Sequence, residues 1–399
     1  MMPPSVRSRR IRAAIGSGCY GFSLTELLVA STIALIVMAA IATLFGVFSR
    51  AMSQSQSTVD LSARMRTAAW QLRKDLSGVT CEVVPWLSHE ADSGYFEVIE
   101  GPRRDSMAGD GSANLEADTD DTLLFTTRSL DGSFVGRHGN DAIESPYAEI
   151  AWFCREAAEQ PVAGTKLYNL HRRQLLVTAY VGTPAFIGNM ITGTLPNIDY
   201  DLSLRQEGNR LVPNSLGDLT KRENRFNRQP NFPFAFRVDG QGRPPSNATF
   251  DNTPRIWEDV ILTNVIAFDV RVFDPEARAQ TTATTTLLPG DPGYGGGNAG
   301  YGAFVDLGGG QGGKLGAAIS QKSRLTLPTY DTWSTHYESN GLDEDGQNGP
   351  DQGADGIDNP QTYETSPPYP VRLDGVEVRI RCYDPTAKQV RQITVRHGF

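Results

Sequence analysis

Histidine and cysteine are scarce in this chain. Five His and four Cys among 399 residues, with no CxxC pair, no HExxH and no Cys/His spacing of a zinc site, exclude a disulfide-rich scaffold and a structural zinc module. No GxSxG elbow is present, and the scattered His89, His138, His171, His336 and His397 point away from an enzyme. Positive charge is also short: 37 Lys+Arg face 46 Asp+Glu, a net charge of −9. Four of the basic residues (Arg7, Arg9, Arg10, Arg12) precede residue 21, where there is no acid, so the remainder has 33 against 46, or −13. That balance argues against nucleic-acid binding driven by overall charge. Proline is missing between Pro4 and Pro85, an interval that leaves a long helix unbroken. Elsewhere 40 Gly and 24 Pro forecast long loops.

What is present is concentrated at the N-terminus. A basic leader, residues 1–21, is followed by FSLTELLVASTIALIVMAAIATLFGVFS, in which Glu26 is the single charge. The 23 uncharged residues from Leu27 to Ser49 would reach roughly 35 Å as a helix, enough for a bilayer core of about 30 Å. Arginines before the span and an acidic chain after it place the leader in the cytoplasm and the rest outside. An ordinary secretory signal has its small-residue boundary behind the apolar run; here it lies in front. A carboxylate inside the run costs about 2.5–3.5 kcal/mol on insertion scales, so Glu26 needs a partner.

Gly21-Phe22-Ser23-Leu24-Thr25-Glu26-Leu27 resembles the cleavage and methylation motif of type IV prepilins and type II secretion pseudopilins. The resemblance implies cleavage between Gly21 and Phe22 by a prepilin peptidase, which would leave 378 of the 399 residues. It also implies N-methylation of Phe22, storage in the inner membrane, and assembly with major and minor pilins or pseudopilins. Glu26 would then pair with the Phe22 amine of a neighbouring subunit. Major pilins commonly carry a proline in the apolar half, and this chain has none there.

Beyond the span the helix is expected to continue over residues 50–78, because Leu61, Met65, Ala69, Leu72 and Leu76 recur at spacings of three and four and Ser77-Gly78 supplies a stop. Ser53–Ser57 is the polar junction. From residue 79 the pattern turns to period two, with strands expected at Cys81–Pro85, Thr122–Thr127, Glu149–Cys154, Leu175–Val181, Val260–Phe273, Val376–Tyr383 and Val390–Val395. The fold class is therefore α+β: a long N-terminal helix carrying a mainly antiparallel β head over 79–399. Insertions are expected near 102–121, 182–255 and 284–370. Of these, the glycine-rich stretch 284–317 reads as an exposed loop, because Lys314 lacks the following Ser/Thr of a phosphate loop. Gln71–Leu76, Asp121–Phe125, Glu149–Phe153, Leu170–Arg173 and Asn264–Val270 are similar to the segments of J-class minor pseudopilins and W-class minor pilins.

One stretch has metal character. Asp343, Glu344, Asp345, Asp351, Asp355 and Asp358 alternate with Gly and Asn, and such carboxylates can converge on Ca²⁺. The EF-hand register fails, since Gly349 falls seventh from Asp343 and no Glu is twelfth. A calcium loop and a solvated acidic linker both remain open. The expected function is that of a minor pilin or pseudopilin that primes or caps a filament. The alternatives are a tip adhesin or DNA-uptake subunit, for which Lys221–Arg225 offers a basic patch, and a membrane-anchored protein that binds a ligand through its insertions.

Overall fold

The computed structural model describes residues 21–85, 87–102, 117–138, 141–160, 165–178, 201–207, 210–227, 259–281, 286–289, 294–295, 300–310, 313–317, 328–332, 369 and 371–399. The chain divides into two units, Met1–Gln56 and Ser57–Phe399. Helix α1, Leu24–Ser77, runs without interruption through 54 residues.

In the first unit α1 is long and apolar enough to cross a membrane, and its large side chains, among them Ile36, Leu44 and Phe48, are exposed. Three hydroxyls within the apolar run find partners in the helix itself. Ser31 and Thr32 donate to the Leu28 carbonyl and Thr43 to that of Ala40, which satisfies them inside the helix, as a lipid environment requires.

In the second unit α1 buries Met65, Ala68, Ala69, Leu72, Asp75 and Leu76 on the expected stripe, with Leu61 partly buried beside them. The alanine pair keeps that face flat, so its apolar side chains share one core with Phe96, Phe125, Trp152 and Val378. Gly78 ends the helix where a Cβ would collide with the Arg128 carbonyl and the Thr127 hydroxyl; only glycine permits that approach.

The strands are β1 (Phe96–Ile99), β2 (Thr122–Arg128), β3 (Phe134–His138), β4 (Asp141–Ser145), β5 (Tyr147–Glu156), β6 (Tyr168–Val177), β7 (Leu204–Glu207), β8 (Arg210–Pro213), β9 (Val260–Thr281), β10 (Thr286–Leu287), β11 (Gly300–Val305), β12 (Thr329–Asp331), β13 (Gly375–Asp384) and β14 (Gln389–Gly398). One antiparallel sheet takes the order β12-β1-β2-β5-β6-β9-β13-β14, with β10 and β11 also on β9; β3-β4 and β7-β8 are separate hairpins. This is the α+β architecture expected, and five of the expected strands lie within β2, β5, β9, β13 and β14.

Central strands are buried on both faces. Leu123 and Phe125 face the core shared with α1, while Leu124, Ala151 and Phe153 face a second core with Tyr95, Leu219 and Phe226. Residues 210–227, inside an expected insertion, therefore help to cover the second face through Leu216, Leu219 and Phe226.

Three expectations need correction. Residues 81–85 form no strand: Cys81 and Val83 are buried and Glu82 exposed, as the alternation implied, but the Val83 carbonyl accepts from the Leu373 amide and the Tyr330 hydroxyl rather than from a ladder. Strand β6 begins seven residues before the expected Leu175, because His171, Arg172 and Arg173 mask its period. Stretch 284–317 is not simply exposed loop, since β11 pairs with β9 and Leu307 and Leu315 are buried. Its amides at Leu315 and Gly316 donate to the Asp274 carboxylate at 2.6 and 3.2 Å, an internal anion in place of a phosphate.

Candidate functional site

The N-terminal site is built on the first turn of α1. Ser23 stands at the N-cap, and the Glu26 amide donates to its Oγ at 3.3 Å. Glu26 Oε2 in return accepts from the Ser23 amide and hydroxyl, both at 2.9 Å. This reciprocal pair is a capping box, which satisfies two helix-end donors at once. The sequence reading missed it, although Ser-x-x-Glu before an apolar run is its signature. Glu26 is thus partnered within its own chain, and both bonds end on one of its two oxygens. Just ahead, Phe22 is 82% exposed. Nothing lies within 4 Å of where a Cβ would stand at Gly21, so the chain's own packing does not demand glycine there.

Asp343, Glu344, Asp345, Asp351, Asp355 and Asp358 lie outside the described residues. The structure instead places buried charge elsewhere in the second unit. Asp75, on the buried stripe of α1, accepts Arg172 Nε at 2.7 Å and Nη2 at 2.8 Å, Trp152 Nε1 at 3.0 Å and Gln71 Nε2 at 2.9 Å. Arg225 is fully buried between Glu97 Oε2 and Asp331 Oδ2, at 2.9 Å each. It therefore cannot belong to the exposed basic patch that Lys221–Arg225 suggested.

A third group, Glu100, Asp118 and Asp121, brings one carboxylate oxygen from each residue within 4.8 Å of the others. Burial and repulsion from Asp121, Glu100, Asp120 and Asp269 push the Asp118 carboxyl well above its ordinary range. Burial and Asp269 do the same to Asp121, against the pull of two backbone amides.

Cys81, Cys154 and Cys382 are free and buried. Burial raises the Cys81 and Cys382 thiols to about 12 and pushes Cys154 well up too, which makes all three poor nucleophiles. His171 is buried against Phe153, ring centroids 5.3 Å apart, and among the described residues its Nδ1 has no hydrogen-bond partner. Burial, helped by Arg155, pushes it down to about 4. A base whose folded pKa is depressed stabilises the fold above its unfolded value near 6.5, and this is lost as pH falls toward the folded value. Thermal unfolding of the full chain in detergent is expected to show the wild type losing about 2 kcal/mol more than His171→Phe between pH 7 and 5, at about 1.4 kcal/mol per pKa unit. Parallel pH profiles would contradict this.

A family model described as the prokaryotic N-terminal methylation motif matches residues 16–42. No curated protein and no solved structure matches the chain. The matched segment contains Gly21, Phe22, the capping box and the start of the apolar helix. The chain thus carries a prepilin-type N-terminus, which supports a type IV pilin-like or pseudopilin protein of structural character, anchored in the inner membrane by its apolar helix.

Proposed function

We propose that this protein is a minor pilin or pseudopilin of the J or W type, which joins and primes or caps a filament, with its β head in the periplasm. The observation that carries the proposal is the methylation motif opening an unbroken 54-residue helix. The head of more than three hundred residues favours a minor over a fibre-forming subunit, and so does the lack of a helix-loosening proline. The segments similar to J- and W-class subunits fall in β2, β5, β6, β9 and the end of α1, consistent with that subclass.

In this reading a prepilin peptidase cuts after Gly21 and the Phe22 amine is methylated. Glu26 then has two tasks: its bond to Ser23 caps the helix, and its charge meets the Phe22 amine of a neighbouring pilin. Glu26→Gln separates them, because glutamine also serves in a capping box while the charge is gone. Mass spectrometry of membrane-extracted protein should find methylated Phe22 as the N-terminus in both wild type and variant. Co-purification of the variant with other pilins should fall by about tenfold or more, because a neutral glutamine offers no counter-charge to the Phe22 amine of a neighbour. An intact leader would overturn the processing, and undiminished co-purification the role of the charge.

A further inference from the structure

The long strand β9 shares one edge among several partners in series. Tyr168–His171 of β6 pair with it at Val260–Val265, and Val305 of β11 takes up the ladder at Val272. Between them the strand is met by residues 117–121, where the Ala117 amide donates to the Ile266 carbonyl and the Phe268 amide to that of Asp118. At the next free position the Val270 amide finds Asp121 Oδ2 at 2.7 Å. The hand-over thus draws the acidic run Asp118-Thr119-Asp120-Asp121, together with Glu100 at the end of β1, into the protein interior.

Backbone amides fix these carboxylates. Gly101 donates to Asp121 Oδ1 at 2.9 Å, Leu307 to Glu100 Oε2 at 3.1 Å and Asp120 to Asp118 Oδ1 at 3.4 Å. Asp118 is 0% exposed, and among the described residues its Oδ2 has no hydrogen-bond partner. Among the described residues neither Asp118 nor Asp121 has an ion-pair partner, and the nearby ion pair Arg379–Asp269 spans 3.9 Å. A buried carboxylate needs a proton or a counter-charge.

We infer that Glu100, Asp118 and Asp121 bind a divalent cation, Ca²⁺, at the point where β9 changes partners. Oxygens sharing one Ca²⁺ at 2.3–2.6 Å stand at most about 5 Å apart, and the 4.8 Å limit meets this. Mg²⁺ sheds its water reluctantly and suits so dry a position poorly. None of the three residues belongs to the sequence stretch Asp343–Asp358.

The test uses the full chain in detergent, stripped with EDTA and titrated with CaCl₂, reading bound calcium by elemental analysis and the midpoint of thermal unfolding. Wild type should take up calcium and its midpoint should rise. Asp118→Asn should lose at least about tenfold in affinity while its calcium-free midpoint equals or exceeds that of wild type, because one charge leaves a crowded cluster; a carboxylate with a merely structural role would lower it. Glu100→Gln should lose the calcium response in the same way and serves if Asp118→Asn fails to fold. Asp345→Asn/Asp355→Asn should respond as wild type does. No calcium bound to wild type, an unchanged response in Asp118→Asn or Glu100→Gln, or a response lost only in the Asp345/Asp355 pair would each overturn the proposal. The last would move the ion to the acidic stretch, and the first would leave protons as the counter-charge.

Discussion

Arg225→Met is expected to lower the unfolding free energy by about 3–5 kcal/mol, the range for breaking a buried ion pair by removing one partner. Against total stabilities of roughly 5–15 kcal/mol this is a large fraction. The side chain joins several regions. Nη1 meets Glu97 of β1 and Asp331 of β12, Nε donates to the Leu219 carbonyl at 2.9 Å and Nη2 to that of Thr220 at 3.1 Å. The guanidinium also lies 3.9 Å over the Tyr95 ring. Methionine takes the guanidinium away from two buried carboxylates, while the volume stays nearly filled.

Arg225→Lys should recover little, because a single ammonium cannot make the fork of bonds and stack on Tyr95 at once. Adding Glu97→Gln and Asp331→Asn to Arg225→Met should recover part of the loss, since a discharged network costs less than a broken one. Denaturant midpoints of the full chain in detergent decide this. A loss below about 1 kcal/mol for Arg225→Met would show that the buried pairs carry no net weight.

The second large effect is expected at Asp75. Its two oxygens take a bidentate Arg172, the Trp152 indole N–H and Gln71. Asp75→Ala leaves the Arg172 charge, 11% exposed and still bonded to Gln174 Oε1 at 3.0 Å, without its carboxylate, and takes the acceptor from a buried indole donor. We expect a loss of about 3 kcal/mol, at the low end of the range because Arg172 keeps some contact with water. Asp75→Asn fits the space but turns a donor toward Arg172, and should cost about 2 kcal/mol. The double variant Asp75→Ala/Arg172→Met should cost less than the sum of its parts, a coupling that double-mutant analysis reads directly. Trp152 fluorescence offers a local check, since its indole is completely buried and should shift to longer wavelength as this region loosens. Asp75→Asn within 0.5 kcal/mol of wild type, the ordinary scatter of surface changes, would refute the assignment.

These residues also mark where the sequence could be read and where it could not. The apolar stripe of α1 was legible from spacing alone, and Asp75 sits on it three residues after Leu72. An acid at such a position signals a buried partner, but nothing local identifies Arg172. Strands declared themselves by a continuous apolar run, as in Leu123-Leu124-Phe125, or by a period of two, as in Val376–Tyr383. Strands β1, β11 and β12 did not, being short or glycine-rich. The run Asp118–Asp121 reads as a solvated insertion because four polar residues in a row have no apolar face. It is buried because β9 leaves a gap for it, and β9 lies well over a hundred residues away. Of the N-terminal site, Gly21, Phe22 and Glu26 were recognised as a motif, yet the helix-capping part of Glu26 came only with the coordinates.

The pairing of β1 with β12 has a consequence for synthesis. Val98 registers with Tyr330 and the Phe96 amide bonds the Thr332 hydroxyl, a separation of 236 residues. The Phe96 ring further meets Phe399 at 4.8 Å. Loops of this span close slowly, because their entropy must be overcome before any contact is gained. While the ribosome works through the intervening residues, α1 and β1 are already made and β1 has one edge without its neighbour. A nascent chain halted before residue 329 would therefore carry a finished apolar helix and an open, aggregation-prone strand edge.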